Sequence, residues 1–257
     1  MLPPDITEPA ERDPKKLRRT AWILVAIMLV GGFLILKAYE RTAERQAKDT
    51  HPAKIHQIRK ERDLRVVRQD GKAADLFDLR GKVWVVQVDS LGDPGAAEIG
   101  RTVMKKLAED YRENDGFRLV TLVVDPPAAE ELPAMIEQTA AKEGMHLPQW
   151  WLASTDRKTL HKFIKNELKA GEFPHEKDGK WMFDSSIVLI DREGNIRRAV
   201  VPQKRGGPPF VATFDFAEAA EWDARGAKTG TERSNVEELE QLLRKTIDTL
   251  LSSPTDT

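Results

Sequence analysis

DLRGKVWVVQVDSLGDPGAA, residues 78–97, is the stretch of sequence that decides the fold. Its apolar run from Val83 to Val88 is too continuous for a strand with one wet face, so it predicts a central strand buried on both sides. The run ends at Ser90, and apolar residues return at helical spacing from Ile99 to Tyr111. A strand, a tight loop and a helix in this order place the loop at the carboxyl edge of a sheet, where α/β proteins carry their functional residues.

The sequence on both sides of this stretch continues to alternate between strand and helix patterns. Val66 to Leu79 predicts a hairpin with a turn at Asp70-Gly71, and Phe117 to Val124 predicts a second buried strand. Later segments predict a helix from Pro133 to Glu143, a strand at 149–155, a helix over 160–168, a hairpin of 181–190 with 196–201, and a C-terminal helix that opens with a capping box of Ser234 and Glu237. The pattern as a whole is that of an α/β domain.

Composition excludes several classes of function. Basic and acidic residues nearly balance, 41 against 42, so no overall positive charge attracts nucleic acid. The chain has no cysteine, which rules out disulfides, thiolate metal sites and thiol exchange. It also lacks H-E-x-x-H, G-x-S-x-G, G-x-G-x-x-G and phosphate-loop motifs. We therefore expect neither nucleic-acid binding nor one of these enzymatic activities.

An uncharged segment from Ala21 to Leu36 predicts contact with a lipid bilayer. Its sixteen residues span about 24 Å as a helix, and flanking residues extend this towards the roughly 30 Å hydrocarbon core. We expect a tail at residues 1–19, a transmembrane helix at 20–39 and a charged stalk at 40–63, in which His51 and His56 are solvated. A cleaved signal peptide is the alternative, but no small-x-small site follows the apolar run.

The domain is predicted at residues 64–251, with an insertion at about 202–233. The insertion is rich in aromatic residues: Phe210, Phe214, Phe216 and Trp222. Such a density does not suit a free linker, so part of the insertion is expected to pack on the domain or on a partner.

Three motifs resemble the Sco/SenC family, membrane-anchored proteins that help to deliver copper to cytochrome c oxidase. They are Asp78 to Val85 at the start of the central strand, Val124-Asp125-Pro126 after the next strand, and Gln149 to Thr155. The resemblance implies a thioredoxin-like fold, a central mixed sheet flanked by helices, on a single-pass anchor in the cytoplasmic (inner) membrane. It also implies a cytoplasmic tail and a C-terminal domain that faces the periplasm.

The positions that match the family's copper ligands are vacated. The two cysteines of its C-x-x-x-C-P loop fall on Asp93 and Ala97, its proline falls on Glu98, and its distant histidine falls on Phe183. Copper(I) prefers soft ligands, and the residues at the three ligand positions, Asp93, Ala97 and Phe183, offer only one hard carboxylate. We expect no catalytic residue, cofactor or metal at these positions, and we interpret Asp93, followed by Pro94, as a helix N-cap.

The sequence therefore favours a non-catalytic binding or assembly factor linked to the respiratory oxidase. Its expected partner is a membrane or periplasmic protein, bound around Asp93 and Phe183 or through the aromatic insertion. One alternative is a copper carrier with relocated ligands, for which His175, Met182, Met145 and His146 are the candidates. Another is a thioredoxin-fold ectodomain with a structural or sensory role.

Overall fold

The computed structural model describes residues 14–48, 51–203, 209–227 and 232–253. The start of the predicted tail, residues 1–13, and two parts of the predicted insertion, 204–208 and 228–231, lie outside the described residues. The chain divides into two compact units. One consists of Met1–Asp49 with Pro202–Pro209, and the other of Thr50–Val201 with Phe210–Thr257.

The helices and strands are numbered in chain order. The α-helices are α1 (Pro14–Lys48), α2 (Glu98–Asp110), α3 (Leu132–Glu143), α4 (Arg157–Asn166), α5 (Phe216–Ala224) and α6 (Asn235–Ser252). The strands are β1 (Ala53–Gln57), β2 (Arg65–Arg68), β3 (Ala73–Asp75), β4 (Val83–Asp89), β5 (Phe117–Val123), β6 (Trp150–Ser154), β7 (His175–Lys177), β8 (Lys180–Met182), β9 (Val188–Ile190), β10 (Asn195–Val201) and β11 (Phe210–Ala212). Short 3₁₀ turns lie at Lys60–Arg62, Leu76–Leu79 and Pro94–Ala97.

The first unit contains α1, which begins within the predicted tail and continues past the predicted membrane segment. Its part from Pro14 to Ala38 is long and apolar enough to cross a bilayer. The apolar side chains of this part, Trp22 and Phe33 among them, are exposed, as expected of a helix that is solvated by lipid.

The second unit is built on one mixed sheet with the order β1-β10-β9-β4-β5-β6-β2-β3, to which β11 is added through β10. Strands β4, β5 and β6 are parallel, and the other neighbours are antiparallel. A β4-α2-β5 unit, followed by the β9-β10 hairpin and the closing helix α6, gives a thioredoxin-like fold. Both the predicted α/β class and this fold are confirmed.

Strand β4 is the centre of this sheet, and all seven of its residues are buried. Val83 and Val85 face one apolar cluster, to which α2, α3 and α6 contribute, while Trp84, Val86 and Val88 face a second cluster that includes α4. Helices therefore cover both faces, which is why the strand reads as a continuous apolar run.

The predicted start of the domain at Leu64 is wrong. Residues of the predicted stalk form β1, an edge strand that pairs with β10 in the register Ala53↔Arg198. Ile58 directly after it is buried, and Ile58 N–H donates to the Gly194 carbonyl at 3.0 Å. The prediction failed because most side chains of this edge strand are exposed, so its composition resembles that of a solvated spacer.

The long strand predicted from Trp181 to Ile190 is also wrong. Its first residues belong to β8, which pairs with β7 in a separate hairpin, and β9 begins only at Val188. Asp184 interrupts the run, because its carboxylate accepts hydrogen bonds from Gly171 N–H and from Ser186 N–H and Oγ.

The described part of the insertion packs on the domain. Strand β11 pairs with β10, and Phe214 and Phe216 are buried in the core. Phe210 and Trp222 remain 59% and 42% exposed. The insertion thus supplies both core residues and an exposed surface.

Candidate functional site

The loop after β4 is the candidate site, and a carboxylate from the next strand fixes its shape. Asp125, which follows β5, accepts hydrogen bonds from Ser90 Oγ at 2.7 Å, Leu91 N–H at 2.9 Å and Gly92 N–H at 2.7 Å. Ser90 Oγ accepts one from Asp93 N–H at 2.9 Å. Because β4 and β5 are parallel, their carboxyl ends meet at one edge, which brings Asp125 to this loop.

A buried ion pair lies at the start of the same loop. The Arg101 guanidinium donates two hydrogen bonds, both 2.9 Å long, to the Asp89 carboxylate. Burial raises the pKa of Asp89, while the bonds from Arg101 oppose that rise, and Asp89 in turn raises the pKa of Arg101. The ion pair fixes α2 to the end of β4. Because each charged group binds the other, we assign this pair a structural role.

The residues at the three positions that match the family's copper ligands are Asp93, Ala97 and Phe183. Asp93 is the N-cap residue of the 3₁₀ turn, with Pro94 directly after it as predicted, but its side chain makes no capping hydrogen bond. Ala97 is buried, and its carbonyl accepts a hydrogen bond from Gln87 Nε2 at 3.2 Å. Phe183 is partly buried against the cluster that contains α4. Within the described residues, no group of three or more His, Asp or Glu side chains is arranged to hold a metal ion.

The structure brings together two of the four candidate relocated ligands. His175 and Met182 are directly opposite each other across the β7–β8 hairpin. His175 Nδ1 donates to the Phe173 carbonyl at 3.0 Å, so Nε2 is the ring nitrogen that this hydrogen bond does not use. Met145 is instead buried in the core, and His146 is an exposed residue before β6.

Sequence reasoning missed His161, a buried histidine near the site. It lies on α4, and its Nε2 donates to the Val124 carbonyl at 2.7 Å, one residue before Asp125. Its ring makes edge contacts with Phe173 and Trp181, at centroid distances of 5.9 and 5.5 Å. Burial lowers the pKa of His161, so the neutral imidazole is favoured. Its position on the apolar stripe between Leu160 and Ile164 was the available signal.

A groove of about 370 Å³ lies beside the loop, between the start of α2 and the insertion helix α5. One side is formed by residues around the 3₁₀ turn, with Ala97, Ile99 and Gly100 among them. The other is formed by α5, with Phe216, Ala217 and Ala220. Ala97 of the vacated loop and helix α5 of the aromatic insertion thus contribute to one groove, whereas Asp93 and Phe183, around which the first binding surface was predicted, are not among its lining residues.

Comparison with solved structures finds neighbours that share this fold. The soluble domain of Sco1 from Bacillus subtilis is 18% identical, with 71% of this chain and 99% of that chain covered and a TM-score of 0.46. Copper-bound ScoI from Arabidopsis thaliana is 15% identical, with coverage of 73% and 97% and a TM-score of 0.48. Copper-bound ScoI from Bradyrhizobium japonicum is 19% identical, with coverage of 71% and 96% and a TM-score of 0.40.

Several of these structural neighbours are Sco/SenC family proteins. No family profile and no curated protein matches the sequence. Relative to the Sco/SenC motif, the present chain has no cysteine, and the loop that would carry the thiols is held by Asp125.

Proposed function

We propose that this chain is a membrane-anchored binding or assembly factor linked to the respiratory oxidase, with its domain in the periplasm and no enzymatic reaction of its own. The observation that supports this most directly is the groove, which places an accessible apolar surface where the sequence resemblance locates the Sco/SenC ligand loop. Ile99, which lines the groove, is 38% exposed. Asp93 and Ala97 in that loop, and Phe183 after β8, offer no soft ligand for copper(I).

The partner is proposed to be a membrane or periplasmic protein, because α1 would keep the domain at the bilayer surface. The test places a photo-crosslinking amino acid at Ile99 of the full chain in its native membrane. A matched control places it at Lys162, an exposed position on α4. We expect a defined crosslink to a membrane or periplasmic protein from position 99 only, and a lower level of assembled oxidase when the gene is deleted.

Equal crosslinking from both positions, together with unchanged oxidase assembly after deletion, would contradict the proposal. Fractionation of the full chain tests the anchor: the protein should stay with the membrane after a carbonate wash and should keep its N-terminal residues. Loss of those residues would instead identify a cleaved signal peptide.

A copper carrier with relocated ligands is the second candidate, and the pairing of His175 with Met182 favours it. An imidazole nitrogen and a thioether are both suitable ligands for copper(I), and the hydrogen bond from Nδ1 to a carbonyl is typical of ligating histidines. A copper(I) titration of the full chain against a competing chelator tests it. One-to-one binding that is lost when both residues become alanine supports the carrier, and binding no tighter than that of this double variant refutes it.

A further inference from the structure

We infer that the groove between α2 and α5 binds a positively charged amphipathic segment of a partner protein, with apolar side chains in the groove and lysine or arginine side chains beside Glu98 and Glu221. This rests on the proposed binding function and adds the chemistry of the partner. The inference comes from the shape of the groove, its apolar surface and its charge.

The groove has firm walls. Asp215 caps the start of α5 by accepting from Glu218 N–H at 3.0 Å, and Asp223 near its end accepts from Asn235 N–H at 2.7 Å at the start of α6. On the other side, the bonds between Arg101 and Asp89 fix α2. A site whose walls are held in this way loses less conformational entropy when a partner binds.

The surface inside the groove is apolar because small residues leave the space open. Ala217, Ala220 and Ala224 face it from α5, and Gly100 faces it from α2. A β-carbon at Gly100 would lie 2.2 Å from Gln87 Nε2, so any larger residue there would have to displace the buried Gln87 amide. The amide oxygen of the same side chain, Gln87 Oε1, is a buried hydrogen-bond acceptor that has no partner within the described structure.

The charge around this apolar surface is negative. Glu98 and Glu221 are the charged residues among those that line the groove, and Arg101, three residues after Glu98, is itself bound to the Asp89 carboxylate. Arg225 binds Glu221 at 2.9 Å, but both side chains are largely exposed, and such a pair is weak. An apolar groove flanked by carboxylates is complementary to a helix with one apolar face and basic flanks.

The test uses the full chain in a non-ionic detergent and a fluorescent peptide of about 16 residues, long enough to present a helical face. The peptide has a leucine and alanine face flanked by lysines, and a sister peptide carries glutamates instead of the lysines. Anisotropy should show saturable, salt-sensitive binding of the lysine peptide and about tenfold weaker binding of the glutamate peptide.

Two double variants carry the same change of charge at different places. E98K with E221K should weaken binding of the lysine peptide by about tenfold, whereas E109K with E137K, exposed on α2 and α3 away from the groove, should leave it within about twofold. A220W fills the groove without changing its charge and should abolish binding, while circular dichroism confirms that it folds.

Equal binding of the two peptides, or equal effects of the two double variants, would overturn the inference. If the lysine peptide does not bind and Ile99 still crosslinks to a partner in membranes, the partner chemistry is wrong and the proposed binding function stands. If both experiments fail, the proposed function fails as well.

Discussion

Asp125 provides the sharpest test of how the loop after β4 is held. Replacing it with alanine removes the acceptor for Ser90 Oγ, Leu91 N–H and Gly92 N–H. At about 1 kcal/mol for each bond to this partly exposed carboxylate, opening of the loop becomes about 2–3 kcal/mol easier. Hydrogen exchange of the Leu91 and Gly92 amides in the full chain should therefore accelerate by about 30- to 150-fold.

The matched control is D156A, which removes the N-cap of α4 but no bond in the loop. It should lower the free energy of unfolding by about 1 kcal/mol and leave exchange at Leu91 and Gly92 unchanged. If D125A changes exchange at these two amides by less than about twofold, the neighbouring strand does not fix the loop, and our explanation of its shape is wrong.

Other contacts give predictions of comparable size. Arg192 donates to the carbonyls of Leu250, Leu251 and Ser253 at the end of α6. R192A should therefore lower the free energy of unfolding by about 2–3 kcal/mol in urea titrations. As a control, R112A at an exposed position should change it by less than about 0.5 kcal/mol. Gly194 has φ +74° and a β-carbon there would lie 2.3 Å from Arg80 Cζ, so G194A should lower the melting temperature clearly, and an unchanged melting temperature would contradict this packing. Burial lowers the pKa of His161 below 6.5, so the neutral ring stabilises the folded state fully above the unfolded-state pKa, and this stabilisation is lost as the pH falls below that value. H161Q should therefore flatten the pH dependence of the free energy of unfolding between about pH 7.5 and 5.5. An identical pH profile in the variant would refute this.

The central elements of the fold could be predicted because their signals are local. The apolar run of β4, the continuous strand β5 and the capping box of α6 each arise from residues close together in sequence. Helix α3 also ends at Gly144, which adopts the left-handed conformation expected of a C-cap glycine. Such local patterns are sufficient for the α/β class.

The missed features depend on contacts between distant parts of the chain. Sequence reasoning treated His56 as solvated, whereas its Nε2 lies 3.0 Å from a carboxylate oxygen of Glu167, a residue 111 positions later in the chain. The groove requires α2 and α5 to be neighbours, although more than a hundred residues separate them. The resemblance directed attention to the vacated ligand positions, but only the three-dimensional structure showed that one of them, Ala97, lies in a groove with the insertion helix.

The pairing of β1 with β10 has a consequence for biosynthesis. Arg197 donates to the Pro52 carbonyl across 145 residues, so the first strand of the domain emerges from the ribosome long before its partner does. Until then its backbone groups are open to pairing with other chains, a recognised route to aggregation. The polar lysine, histidine and glutamine side chains of AKIHQ oppose such pairing before β10 is made. The residues that make β1 resemble a solvated spacer in the sequence thus also protect the nascent chain against aggregation.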